Sequence, residues 1–154
     1  MSLFNRHKNK IYSPVVGRKV NLEELPDEMF RQEMMGPTIA FDSTDGNVYA
    51  PADGEIIMVT DSKHAIGLRT KFGAEILIHI GIDTVELKGA CFDMKVKKNQ
   101  TVYKGELLNT FDKRKICDLG YDSSIIVIVT NAKDKKIQRI DKRVYTLEDV
   151  ILQF

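Results

Sequence analysis

The stretch that decides the fold is Val48-Tyr49-Ala50-Pro51-Ala52-Asp53-Gly54, because a similar stretch precedes it in the chain. The earlier stretch is Ile11-Tyr12-Ser13-Pro14-Val15-Val16-Gly17, and each of its residues is numbered 37 lower. In both, an aromatic residue ends a strand-like run, a proline stops backbone pairing, and a glycine three residues later starts the next run. The pattern favours a β domain built from two similar half-units.

The rest of the chain consists largely of short β-type runs separated by glycine-containing turns, as in residues 54–59, 65–69, 75–78 and 124–130. Helical signals are brief and fall at residues 25–30 and 146–150. Short strands at close spacing are typical of sandwiches and barrels. The sequence therefore predicts an all-β fold, a compact antiparallel sandwich or barrel with duplicated half-units and only short helical turns.

Composition indicates one soluble domain. The chain has 154 residues, 43% of them hydrophobic and 29% charged, with a net charge of +1 that gives no reason to expect nucleic-acid binding. Two isolated cysteines and the lack of an apolar leader indicate the cytoplasm, and the aliphatic run at 125–129 is too short for membrane insertion. We expect a flexible tail at residues 1–10 and a single domain at residues 11–154, and the initial methionine favours a free-standing protein.

The most informative stretch for function is Leu77-Ile78-His79-Ile80-Gly81-Ile82-Asp83-Thr84-Val85-Glu86-Leu87-Lys88-Gly89. It places His79 at the end of an aliphatic strand, just before a glycine turn that carries Asp83. A neutral imidazole in such surroundings can act as a nucleophile or a metal ligand near pH 7. An ordinary, half-buried strand histidine is the alternative.

A second histidine is predicted to lie beside the first. If a hairpin turn centres on Lys71 and Phe72, then His64 and His79 lie directly opposite each other on one face of the strand pair. A shift of one residue would place them on opposite faces. Ser62, two residues before His64, could then orient that imidazole through its hydroxyl group.

Two neighbouring imidazoles allow metal binding, or reaction of one ring while the other stabilises the charge that forms. A metal site needs further ligands, and Asp83 is the only carboxylate nearby in the sequence. A phosphoryl acceptor requires only a nucleophilic nitrogen, a hydrogen-bond donor and an apolar rim that excludes water. Candidates for that rim are Ile39, Ile78, Ile80 and Val85.

These residues also carry a family resemblance. The block from His79 to Gly89, Lys63-His64-Ala65-Ile66-Gly67 upstream, and the turn from Tyr49 to Gly54 resemble the glucose-type IIA component of the bacterial phosphoenolpyruvate:sugar phosphotransferase system. The resemblance runs from about Ile11 to about Thr130. It implies an antiparallel β-sandwich with a shallow apolar face around two histidines.

The resemblance also implies roles for particular residues. His79 would accept a phosphoryl group from the phosphocarrier HPr and pass it to a cysteine in the IIB domain of a sugar permease, without a cofactor or a required metal. His64 would stabilise the phosphohistidine, and Ser62, Gly81 and Asp83 would support the site, with Asp83 at its edge. We expect a cytoplasmic monomer.

The sequence departs from the family at two places. It reads Gly36-Pro37-Thr38 where relatives often carry a charged residue between glycines near the docking face, and its short tail lacks the amphipathic anchor of some members. The first departure puts partner contacts in doubt but leaves the chemistry intact.

Two alternative functions remain open at this stage. The first is a lipoyl- or biotinyl-type carrier domain modified at Lys95, since such domains also use repeated strand-turn units. The second is a small zinc hydrolase that uses His64, His79 and Asp83; the two histidines could in any case bind zinc adventitiously.

Overall fold

The computed structural model describes residues 9–133 and 135–154. Within these ranges the chain forms fourteen strands, two short α-helices and brief 3-10 turns. The strands are β1 (Lys10–Tyr12), β2 (Gly17–Val20), β3 (Thr38–Ser43), β4 (Asn47–Tyr49), β5 (Gly54–Val59), β6 (Ala65–Thr70), β7 (Glu75–Ile80), β8 (Phe92–Met94), β9 (Thr101–Val102), β10 (Leu107–Phe111), β11 (Ile125–Val129), β12 (Gln138–Arg139), β13 (Val144–Tyr145) and β14 (Val150–Gln153). The helices are α1 (Glu28–Arg31) and α2 (Lys113–Asp118).

The strands form three antiparallel sheets. The largest has eight strands in the order β13-β2-β3-β11-β7-β6-β5-β9, and two three-stranded sheets have the orders β4-β10-β8 and β1-β14-β12. Buried residues from all three sheets make one large hydrophobic cluster, so the eight-stranded sheet packs against the two smaller ones. The predicted all-β antiparallel fold with only short helices is confirmed.

The two matched proline-glycine segments occupy equivalent places. The amide of Tyr12 donates to the carbonyl of Pro51 at 2.8 Å, and the amide of Tyr49 donates to the carbonyl of Pro14 at 2.7 Å. In each segment the glycine that follows begins a strand of the large sheet, β2 or β5. The repeated sequence pattern therefore corresponds to a repeated structure whose two copies hydrogen-bond each other.

A second, smaller hydrophobic cluster lies on the outer face of the large sheet. It joins Phe30 of α1 to Ile126 and Ile128 of β11, together with Leu25, Ala40 and Ile82. Side chains of a strand alternate between its two faces. In β7, Ile76, Ile78 and Ile80 therefore enter the large core, whereas Leu77 and His79 face the α1 side.

Local predictions had mixed outcomes. The helical turn expected near residue 30 is α1, capped by the Asp27 side chain, but residues 146–150 form a turn and strand start instead of a helix. Lys10 already belongs to β1, where it pairs with Gln153, so regular structure begins one residue before the expected domain boundary. Residues 1–8 of the predicted tail lie outside the described residues.

Candidate active site

His79 lies near the end of β7 on the outer face of the large sheet. It pairs with Ile126 of β11 on one side and with Ala65 of β6 on the other, and both of these neighbours are buried. The ring of Phe30 packs against the imidazole with a centroid separation of 5.2 Å. The half-buried imidazole therefore has an apolar floor and an apolar neighbour.

One hydrogen bond fixes the protonation pattern of the His79 ring. Its Nδ1 lies 2.7 Å from the carbonyl oxygen of Gly81. A carbonyl oxygen can only accept, so Nδ1 must carry a proton and donate it. In the neutral imidazole, Nε2 is then left unprotonated, with a lone pair available to an electrophile.

The glycine that supplies this carbonyl has little freedom. Gly81 has a φ of +74°, in the region that favours glycine, and a Cβ there would lie 2.5 Å from the side chain of Thr84. The amide of Gly81 donates to the carbonyl of Ser124 at 2.8 Å. The His-Ile-Gly sequence thus builds a rigid acceptor for Nδ1.

His64 and His79 are neighbours, but not through the predicted register. The hairpin pairs Ala65 with His79, because its loop contains three residues, with Gly73 at a φ of +91°, instead of the two assumed. His64 lies just before β6, outside the regular strand. The alternation of side chains along a strand therefore does not determine the direction of its ring. Its ring stands at 77° to that of His79, with 4.9 Å between the centroids.

The hydroxyl beside His64 belongs to Thr60 and not to Ser62. The Oγ1 atom of Thr60 lies 3.3 Å from Nδ1 of His64, and it also accepts a hydrogen bond from the amide of Ala65 at 3.1 Å. Ser62 was expected on the same strand face as His64, but it lies in the turn between β5 and β6. The chain reverses there, so a spacing of two residues does not place side chains together.

Electrostatics keep both imidazoles neutral near pH 7. Burial, and secondarily the neighbouring His79, lower the pKa of His64 from 6.5 to about 4. Burial also lowers the pKa of His79, against the opposing effects of the Gly81 hydrogen bond and the carboxylates of Asp27 and Asp83. A neutral His79 retains the lone pair that a nucleophile requires.

The predicted apolar rim is largely wrong. Ile78 and Ile80 are fully buried and Ile39 is 8% exposed, because all three point into the large core and away from the histidines. Val85 is 51% exposed, on the 3-10 turn that follows His79. Asp83 is exposed at the start of that turn, where its charge acts on His79, in keeping with an edge position.

Sequence reasoning did not identify Phe30, Asp27 or Thr60 as parts of the site. Phe30 and Asp27 reach His79 through the packing of α1, which no local pattern signals. Thr60 could have been considered, since it directly follows β5 and precedes His64 by four residues, but its hydroxyl becomes a partner only through the shape of the turn between them.

Other features bear on the alternative functions. Across residues 9–133 and 135–154, no three His, Cys, Asp or Glu side chains are grouped so as to hold a metal ion. Lys95 forms an ion pair with Asp93 at 2.6 Å. None of the helices in the described part of the chain has the length and apolar character needed to cross a membrane.

Comparisons with known proteins agree with this geometry. Residues 9–135 match the family described as phosphoenolpyruvate-dependent sugar phosphotransferase system, EIIA 1. The chain is 44% identical over 121 residues to the glucose-specific EIIA component of Halalkalibacterium halodurans, covering 79% of this chain and 70% of that protein. It is 42% identical over 130 residues to the glucosamine-specific EIICBA component of Bacillus subtilis, covering 84% of this chain but only 21% of that protein.

A solved structure extends the likeness to the whole fold. Glucose permease IIA from Mycoplasma capricolum superposes with a TM-score of 0.85 at 33% identity, covering 99% of this chain and 98% of that one. The fold and these relatives thus identify a phosphotransferase component of the sugar-uptake system, as the resemblance predicted. The chain belongs to the EIIA 1 family of the phosphoenolpyruvate-dependent sugar phosphotransferase system. Neither a lipoyl- or biotinyl-type carrier nor a zinc hydrolase is supported by these comparisons.

Proposed function

We propose that this chain carries phosphoryl groups during sugar uptake and that Nε2 of His79 is the acceptor atom. The proposal rests mainly on the hydrogen bond from Nδ1 of His79 to the carbonyl of Gly81, because that bond leaves Nε2 as the unprotonated nitrogen. The apolar contact with Phe30 supports the proposal, because water near a phosphohistidine promotes its hydrolysis.

The donor is phosphorylated HPr and the acceptor is a cysteine of a IIB domain. In the first step the P–N bond on HPr breaks as a P–N bond forms on His79. In the second that bond breaks as a P–S bond forms on the cysteine thiolate. The EIICBA names of several relatives support a IIB acceptor, since those chains join EIIA to the other components. Transfer of this kind depends mainly on in-line placement and charge stabilisation.

His64 stabilises the phosphoryl group by donating a hydrogen bond to its oxygens. The neutral ring has one N–H, so donation from Nε2 requires an unprotonated Nδ1, which can then accept a hydrogen bond from another group. The hydroxyl of Thr60, 3.3 Å from Nδ1, can supply that hydrogen bond. Thr60 thereby takes the orienting role that the sequence suggested for Ser62.

The proposal extends to location, oligomeric state and partner surface, with family membership as its support. The protein works in the cytoplasm as a monomer, with Asp83 and Val85 on the surface that meets its partners, and the choice of sugar rests with the membrane permease. The exposed positions of these two side chains, on the turn that immediately follows His79, support this placement.

The test is phosphorylation in a reconstituted system of phosphoenolpyruvate, enzyme I and HPr. The wild-type chain should gain the mass of one phosphate in an acid-labile, alkali-stable form. His79→Gln should gain none, whereas His64→Gln, the matched control at the neighbouring ring, should still be labelled. Normal labelling of His79→Gln would exclude His79 as the acceptor.

A further inference from the structure

Asn109 is fully buried in β10, yet its side chain contacts the turn that carries His64. Its Nδ2 donates a hydrogen bond to the carbonyl oxygen of Lys63 at 3.0 Å, across 46 positions of the sequence. Lys63 immediately precedes His64 and has a φ of +60°, a conformation that is uncommon for a residue with a side chain. The contact therefore holds the backbone where the chain turns toward the active site.

This hydrogen bond joins the two layers of the sandwich. Asn109 belongs to the three-stranded sheet of β4, β10 and β8, whereas the Lys63 turn connects β5 and β6 of the eight-stranded sheet. His64 is thus held from two sides: its own carbonyl oxygen accepts a hydrogen bond from the amide of Ile80 at 2.7 Å within the hairpin, and the carbonyl of Lys63 before it is held by Asn109 from the other layer.

Asparagine is not the residue that core stability alone would favour at this position. Its Oδ1 atom is buried and has no hydrogen-bond partner among the described residues. A buried carbonyl oxygen without a partner destabilises a fold, whereas leucine fills a similar volume without that cost. The amide cannot be reversed, because Oδ1 would then face the Lys63 carbonyl with no donor between them.

We infer that Asn109 is a positioning residue, which holds the turn at residues 60–64 so that the His64 imidazole stands beside the His79 imidazole. Its effect on phosphoryl transfer rests on the proposed function, whereas its effect on the His64 ring does not. Asn109 contacts neither histidine, so it acts only through the backbone of Lys63.

The experiment compares Asn109→Leu with Asn131→Leu. Asn131 is a matched control, because its Nδ2 donates to the carbonyl of Gly73 at 2.9 Å and so holds the opposite end of the β6–β7 hairpin. The readout is titration of the His64 ring by NMR, which requires no phosphoryl transfer.

In Asn109→Leu the pKa of His64 should rise from about 4 toward 6.5, because a released turn exposes the ring to water. The charged or titratable groups around the pair are His79, Asp27, Asp83 and the exposed Lys63, and neither substitution alters them. In Asn131→Leu the pKa of His64 should stay unchanged, even if the thermal midpoint falls.

A second measurement follows acceptance of phosphate by His79 and onward transfer to the IIB domain as separate steps. Acceptance by His79 should persist in Asn109→Leu, because the Gly81 contact is untouched, while onward transfer should fall by roughly 10- to 100-fold. If the wild-type chain accepts no phosphate, the proposed function fails, and the NMR titration still decides the role of Asn109.

An unchanged His64 titration in Asn109→Leu would overturn the inference, as would equal shifts in both variants, which would indicate general loosening. If Asn109→Leu does not fold, Asn109→Thr takes its place, since threonine suits a strand and its short hydroxyl does not reach Lys63. The same rise in pKa is expected there, and its absence would equally refute the role.

Discussion

The two histidines of the site are held in different ways. His79 is part of a strand, between two paired neighbours, and its ring donates to the main-chain carbonyl of Gly81. His64 follows a turn. Its carbonyl oxygen accepts a hydrogen bond from the amide of Ile80, but its ring has only a side-chain partner, Thr60, and the preceding carbonyl is held by the side chain of Asn109. Main-chain contacts persist when neighbouring side chains change, so His79 should tolerate substitutions nearby better than His64 does.

The largest expected effect follows from the different steps proposed for the two rings. His79 accepts the phosphoryl group, and His64 supports its onward transfer. In His64→Gln, acceptance of phosphate by His79 should continue, while transfer to the IIB domain should fall on the order of 10²- to 10³-fold, the usual effect of removing a donor that stabilises transferring charge. Single-turnover transfer from the labelled variant to isolated IIB domain measures this step.

A parallel loss of both steps would contradict that division of roles. It would mean that His64 also orients His79 or supports the fold. Circular dichroism spectra and thermal midpoints of wild type and His64→Gln provide the control, since a folding defect lowers both steps together.

The next effect concerns stability as the pH falls. The folded-state pKa of His64 is about 4, below its ordinary value of 6.5, so between these values the unfolded chain binds more protons than the folded one. The free energy of unfolding should therefore be highest above pH 6.5 and decrease toward pH 4, with a contribution from His64 of at most about 3 kcal/mol. His79 contributes in the same direction.

Urea unfolding of wild type and His64→Gln at several pH values isolates this contribution. Carboxylates titrate equally in both proteins, so the difference between the two curves belongs to the imidazole. The difference should change between pH 6.5 and pH 4 and stay constant above that window. Parallel curves would show that the His64 ring is not held in its neutral form by the fold.

The sequence predicted the features that depend on local pattern. Proline and glycine at fixed spacing indicated the paired half-units, and residue alternation with glycine turns indicated antiparallel strands. The same alternation should have excluded Ile78 and Ile80 from the surface, since they flank an outward-facing His79. Helix α2, which was not predicted, also has a local signal in the capping residue Asp112.

Other features could not be predicted from the local sequence, because they depend on how distant segments pack. The hairpin register depended on whether the loop has two or three residues, and the observed three-residue loop places Gly73 at a positive φ. The contact between Asn109 and Lys63 spans two sheets, and Phe30 reaches His79 only after α1 has packed on the large sheet. The proposed acceptor histidine is therefore visible in the sequence, whereas the support of its partner ring is a property of the assembled sandwich.

The smallest effect tests which hydroxyl orients His64. Thr60→Val keeps the side-chain shape but removes the hydroxyl that donates a hydrogen bond to Nδ1, at a cost of about 0.5–1.5 kcal/mol for a single hydrogen bond. Onward transfer should fall by roughly threefold to tenfold, because fewer molecules then hold the His64 proton on Nε2. Thr60→Ser, which retains the hydroxyl, should restore transfer, and Ser62→Ala should match wild type. A larger loss in Ser62→Ala than in Thr60→Val would return the orienting role to Ser62, and the turn that carries both residues would then have to rearrange when phosphate binds.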